Sequence, residues 1–174
     1  MTRRGQANQT INCLFVYGTL KRGQVNGELL APVCEKVELA STEGRLVDLG
    51  LFPGMVPGNG RVHGELLFFP LNHMATVLAV ADHLEGCDPD DPAASLFYRE
   101  RVIVTTTDGN VLESFAYFYN QSHPDALGDD EAVMLATETW EKPARCVKSS
   151  NLGFERFTQH VYCAHRDDPD GKGK

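Results

Sequence analysis

Two short stretches of the chain hold residue types that can do chemistry. The first is Tyr17-Gly18-Thr19-Leu20-Lys21-Arg22-Gly23. An apolar run stops there at a glycine, and a polar turn follows. Glycine lets the backbone turn sharply and lets a ligand approach closely. Successive N–H groups left unpaired beyond a strand form a concave donor site for a carboxylate or carbonyl oxygen. An ordinary glycine-punctuated loop has the same local signature. The second stretch is Asp82-His83-Leu84-Glu85-Gly86. Glu85 is the last carboxylate of a helical pattern, where the partial negative charge of the helix terminus disfavours an anion. Asp82, three residues earlier on the same face, adds repulsion. Both effects push the Glu85 pKa upward, toward the range a general acid/base needs. A plain exposed glutamate in the last turn fits the same residues.

The remaining reactive side chains make no comparable group. His63, His73, His83, His123, His160 and His165 are scattered, without zinc-site spacing on a common helix face. Asp88, Asp90 and Asp91 lack the spacing and glycine of a calcium loop. Cys13 sits inside the first apolar run, where thiols are usually inert. Cys13, Cys34, Cys87, Cys146 and Cys163 are odd in number and widely spaced, with no CxxC pair. That is neither a disulfide framework nor a metal pattern. GxSxG, P-loop and GxGxxG motifs are missing from the sequence. The expectation is an activity with no metal and no cofactor.

Several elements must position the two stretches. Asn12–Tyr17 reads as a buried strand. Val37–Leu49, broken by Thr42-Glu43-Gly44, reads as two strands or one bent strand. Residues 50–60 hold four glycines and two prolines and read as a loop. Arg61–Phe69 is a further strand. Met74, Val77, Leu78, Ala81 and Leu84 form a helical stripe, with Asn72 as N-cap and Gly86 beyond the last turn. Cys87–Pro92 is an acidic loop. Tyr98–Thr107 and Val111–Tyr119 flank Asp108-Gly109-Asn110 as a hairpin. Glu131–Trp140 and Asn151–Cys163 read as moderately helical. Strands come in runs rather than alternating with helices, which favours an α+β fold.

The 174 residues fit one domain over 11–164, with a loose N-terminus at 1–10 and a charged, disordered tail at 165–174. An apolar share of 42% supplies an ordinary core. A net charge of −8 disfavours nucleic acid as a partner. No apolar stretch is long enough to span a bilayer, and Met1–Thr10 has no secretory h-region. Free thiols suit a reducing compartment, so the cytoplasm is the expected location.

Taken together, the motifs resemble the γ-glutamylcyclotransferase-like family, in the branch of γ-glutamylamine cyclotransferase and the plant avirulence-induced proteins. The resemblance is carried by Phe15-Val16-Tyr17-Gly18-Thr19-Leu20-Lys21-Arg22-Gly23, Gly60-Arg61-Val62-His63-Gly64-Glu65-Leu66, Leu84-Glu85-Gly86, Tyr98-Arg99 and Tyr117-Phe118-Tyr119, in that order. It covers roughly residues 12–120. It implies a small mixed β-barrel with helices packed outside. It implies Glu85 as the acid/base and Tyr17, Gly18, Thr19 and Leu20 around the glutamyl group of a small-molecule substrate. Tyr119 is expected either to donate a hydrogen bond in that pocket or to pack in the sheet. The insertion Cys87–Leu96 is longer than usual for the family, and nothing after Asn120 matches it. The implied reaction forms 5-oxoproline and releases an amine or amino acid. A non-catalytic ligand-binding or interaction protein on the same fold is the alternative, although a binder of anionic glutamyl groups gains little from a buried carboxylate.

Overall fold

The computed structural model describes residues 10–126 and 133–140. Strands β1 (Cys13–Val16), β2 (Lys36–Asp48), β3 (Pro53–Phe68), β4 (Phe97–Thr106) and β5 (Val111–Tyr119) pair in the order β3-β1-β5-β4-β2, and β2 pairs back onto β3. The sheet therefore closes into a five-stranded barrel. The β1–β5 pair is parallel and the others are antiparallel, so the barrel is mixed. Closure leaves few unpaired strand edges.

Alternation along the strands makes two apolar surfaces. Phe15, Leu66, Val62, Val104, Ala116 and Phe118 fill the barrel interior. Leu14, Val16, Leu67, Phe97, Tyr117 and Tyr119 belong to a second cluster on the opposite faces of the strands. Helix α1 (Met74–Glu85) covers that second cluster with Met74, Val77 and Ala81. The helical stripe is thus the device that packs α1 outside the barrel.

The structure revises several local readings. Val37–Leu49 is one strand, and its register against β3 shifts at Gly44. The expected loop over 50–60 shrinks to the turn between β2 and β3. Val56 pairs with Arg45 and Arg61 with Glu43, so Pro57-Gly58-Asn59-Gly60 bulges out between paired segments. Proline lacks the N–H a ladder needs, which suits Pro53 to a strand start and Pro57 to the bulge. Asn72 is not the N-cap: residues Leu71–His73 form a 3₁₀ turn that leads directly into α1, with no side-chain cap bond.

The helix expected over Glu131–Trp140 does not form in its described part. Val133–Met134 is instead a strand, β6, on the edge of β2, and the Leu135 N–H donates to the Leu46 carbonyl at 2.9 Å. Tertiary pairing overrides weak helix propensity here. Trp140 is buried with the barrel-interior cluster, and its carbonyl accepts from Lys21 Nζ at 2.8 Å. The segments 1–9, 151–163 and 165–174 lie outside the described residues.

Among the described residues no helix is long and apolar enough to cross a membrane. No group of three His, Cys, Asp or Glu side chains among them is placed to hold a metal ion.

Candidate active site

The end of α1 sets the site. Gly86 takes the left-handed conformation (φ +62°), and the Cys87 N–H closes onto the Asp82 carbonyl at 2.8 Å. Glycine accepts that conformation at no steric cost, so the helix stops one residue past Glu85. Packing of α1 on the outer apolar cluster, with Asp82 tied to Arg99 of β4 and Tyr117 of β5, then places Glu85 at a cleft. Gly18, Thr19 and Leu20 form one wall, Phe52 and Pro53 from the β2–β3 turn another, and Phe97 and Tyr117 the floor.

The Glu85 side chain is partly buried, and what it faces is this cleft. Among the described residues no group donates a hydrogen bond to its carboxylate. Burial alone raises its pKa from 4.5 to about 7. The direction matches the sequence reading, but the cause differs. Repulsion from Asp82 is not what shifts Glu85, because Asp82 is already compensated. Arg99 Nη1 donates to both Asp82 oxygens, at 2.6 and 2.5 Å, and the Tyr117 hydroxyl donates to Oδ1 at 2.7 Å.

The Tyr17–Leu20 segment meets the cleft mainly as backbone. The Tyr17 ring is buried, and its hydroxyl donates to the Tyr117 carbonyl at 2.9 Å and accepts from the Met55 N–H at 3.0 Å. Burial foremost, and then the Glu85 charge, holds this phenol well above its usual pKa. Asn26 braces the turn: its N–H donates to the Thr19 carbonyl at 2.9 Å, and its Nδ2 donates to Thr19 Oγ1 at 3.2 Å. The N–H groups of Gly18, Thr19 and Leu20 find no acceptor among the described residues. These three residues line the same cleft as Glu85. A Cβ on Gly18 would come within 2.9 Å of Pro53 Cγ, so glycine is required where this loop meets the far wall.

Tyr119 is fully buried with its ring 5.5 Å from that of Phe97, and it does not line the cleft. The packed alternative is its placement, and Tyr117 lines the cleft instead. Burial, followed by the bond to Asp82, raises the Tyr117 pKa. Sequence reasoning missed the Asp82–Arg99–Tyr117 group. One signal was available: Arg99 and Tyr117 are opposite each other in a simple hairpin register and so share a face. Cys13 is buried, and burial pushes its thiol pKa up, which fits a packed rather than reactive residue.

Curated relatives match part of the chain. A "Gamma-glutamylcyclotransferase family protein YtfP" of Escherichia coli is 40% identical over 53 residues, covering 30% of this chain and 47% of the relative. A "Putative gamma-glutamylcyclotransferase" of Vibrio cholerae is 42% identical over 59 residues, covering 30% and 47%. The chain thus spans about half the length of the curated relatives it matches. Among solved structures, an AIG2-like protein from Mus musculus superposes with a TM-score of 0.53 at 22% identity, covering 76% of this chain and 90% of that chain. YkqA from Bacillus subtilis gives 0.52 at 20% identity, covering 89% and 43%. At such identities the likeness is one of fold. The family model described as "Gamma-glutamyl cyclotransferase, AIG2-like" matches residues 14–142, so the likeness runs past Asn120, where the motifs alone had it end, and the chain belongs to that family.

Proposed function

We propose that the protein is a γ-glutamyl cyclotransferase with Glu85 as its general acid/base. One observation carries the reading: a carboxyl group with no donor among the described residues, its pKa raised to about 7 by burial, lines one cleft with Gly18, Thr19 and Leu20, whose N–H groups find no acceptor among those residues. The substrate's own α-nitrogen attacks its γ-carbonyl carbon. A five-membered lactam closes, and the bond from that carbon to the leaving nitrogen breaks. The products are 5-oxoproline and an amine or amino acid.

The reaction balances without a cofactor. The α-ammonium gives up two protons on the way to the lactam, and the leaving nitrogen gains two on the way to a free ammonium. Glu85 takes the first proton as a carboxylate and returns it as the acid. A pKa near neutrality lets one group serve both steps. The attack is intramolecular, so folding the glutamyl chain into the cleft supplies much of the rate; orientation of this kind is worth several kcal/mol. The Gly18–Leu20 donors hold the glutamyl oxygens and stabilise charge as it develops.

The test is incubation with a panel of γ-glutamyl amino acids, γ-glutamyl-ε-lysine and simple γ-glutamyl amides, with 5-oxoproline as the readout. Formation of 5-oxoproline from at least one compound supports the reading, and none from any of them sinks it.

A further inference from the structure

Among the polar side chains that line the cleft, Tyr17, Thr19, Asn26, Glu85 and Tyr117, the last has its orientation set from behind. A phenol carries one proton and accepts through its lone pairs. In Tyr117 that proton goes to Asp82 Oδ1 at 2.7 Å. Asp82 is fixed as the acceptor of the pair, because the Arg99 guanidinium, which can only donate, occupies both its oxygens. The trio joins α1, β4 and β5, and the side chains of Asp82 and Arg99 are only 12% and 19% exposed. Tyr117 lines the cleft with Glu85. The Arg99 guanidinium also bonds Tyr117, so toward a bound molecule the phenol oxygen offers no proton and one remaining lone pair.

The cleft is then divided by polarity. Glu85 and the Tyr117 oxygen are acceptors, and the Gly18, Thr19 and Leu20 N–H groups are donors. No lysine, arginine or histidine is among the residues lining it. A zwitterionic amino-acid head fits this division in one orientation, with its cation at the two acceptors.

We propose that Tyr117 accepts a hydrogen bond from the substrate's α-ammonium group, and that Asp82 and Arg99 are positioning residues that hold it as an acceptor. The proposal rests on the cyclotransferase reading and assigns a substrate feature to the same site: a free α-amino group is required for tight binding, not only for attack. Asp82 keeps its partner Arg99 in Tyr117→Phe, so that variant retains the ion pair between α1 and β4.

The experiment compares wild type with Tyr117→Phe, Asp82→Asn and the double variant on the best substrate, with melting measured on the same preparations. A hydrogen bond to a charged group sets the expected scale, so KM should rise about tenfold to a hundredfold in Tyr117→Phe, with a smaller change in kcat. If Asp82 acts through Tyr117, the double variant should be no worse in KM than Tyr117→Phe alone. A normally melting Tyr117→Phe with unchanged KM overturns the proposal, and so does a double variant whose KM defect is the product of the two single ones. Calorimetry separates this proposal from the cyclotransferase reading. L-glutamine should bind wild type more tightly than its deamino analogue glutaramate, and Tyr117→Phe should narrow the gap. Equal affinities, or no binding of either compound, overturn the ammonium seat even if the protein forms no 5-oxoproline.

Discussion

The Asp82 side and the Glu85 side of the last turn of α1 place two carboxylates three residues apart in opposite surroundings. Asp82 lies under the helix against the hairpin, where Arg99 and Tyr117 supply donors to its oxygens. Glu85 lies at the helix end, where Leu84, Phe52 and Phe97 line the cleft with it, and no donor among the described residues reaches it. The first carboxylate is tied down and holds elements together. The second carries a pKa of about 7 because its charged form is desolvated. The same helix thus provides a structural anion and a reactive one. What separates them is the presence of a cation from another strand, not their position on the helix.

The widest separation should come from removing each group in turn. Glu85→Gln should fold normally and lose about 10²–10⁴-fold in turnover, the usual scale for a general acid/base. Formation of 5-oxoproline by the purified variant measures it. Near-normal activity would mean that Asp82 or another group does the work, and the contrast between the two sides would fail.

The reverse pattern should hold for stability. Asp82→Ala leaves Arg99 without its partner in a mostly buried position and should cost about 3 kcal/mol in denaturant unfolding. Glu85→Gln should instead stabilise at alkaline pH. The folded-state pKa of Glu85 lies above its unfolded value, so its protonated form favours folding below about 4.5, and that contribution is lost as pH rises through about 7. Removing the group should recover on the order of 3 kcal/mol at most above pH 8, with little change near pH 5. Opposite signs for the two variants at pH 8 would sharpen the comparison, and equal destabilisation would break it.

The pH profile gives a smaller but more direct signal. Because Glu85 must start as the carboxylate, kcat/KM should rise with pH through about 7 and then level before any alkaline limb. An acidic limb near 4.5 would show that burial does not govern this group in solution.

The donor wall should respond least to conservative change. Gly18→Ala brings a Cβ to within 2.9 Å of Pro53 Cγ, so the loop and the β2–β3 turn must separate. Overpacking of this kind costs about 1–3 kcal/mol and should also weaken 5-oxoproline binding, since Gly18 and Pro53 both line the cleft. Thr19→Ser keeps the oxygen that accepts from Asn26 and should change KM very little. A large loss from Thr19→Ser would assign the threonine methyl a role that the backbone geometry does not require.

The amino-acid sequence by itself determined the elements whose causes are local. Apolar and β-rich runs bounded by turn residues placed β1, the C-terminal half of β3 and the β4–β5 hairpin within a residue or two of where they lie. The stripe from Met74 to Leu84 and Gly86 placed α1 and its end, and so placed Glu85. The family motifs marked the loop and the glutamate that the fold brings to one cleft. Other features depended on contacts between distant residues. Composition made 50–60 look like loop, whereas pairing with β2 turned most of it into strand around a bulge. The β2 edge drew Val133–Met134 out of helix by satisfying their backbone. Tyr117 and Tyr119 share one face of β5, so local pattern could not choose between them. Phe97 packing buried one, and Asp82 claimed the other. The cause of the Glu85 shift was equally out of local reach. Desolvation depends on a cleft lined from distant parts of the chain, by Phe52 of the β2–β3 turn and Phe97 of β4 among others, and the pairing of Asp82 depends on an arginine 17 residues away. Helix charge and neighbour repulsion can be read along the chain, but exclusion of water is a property of the packed tertiary structure.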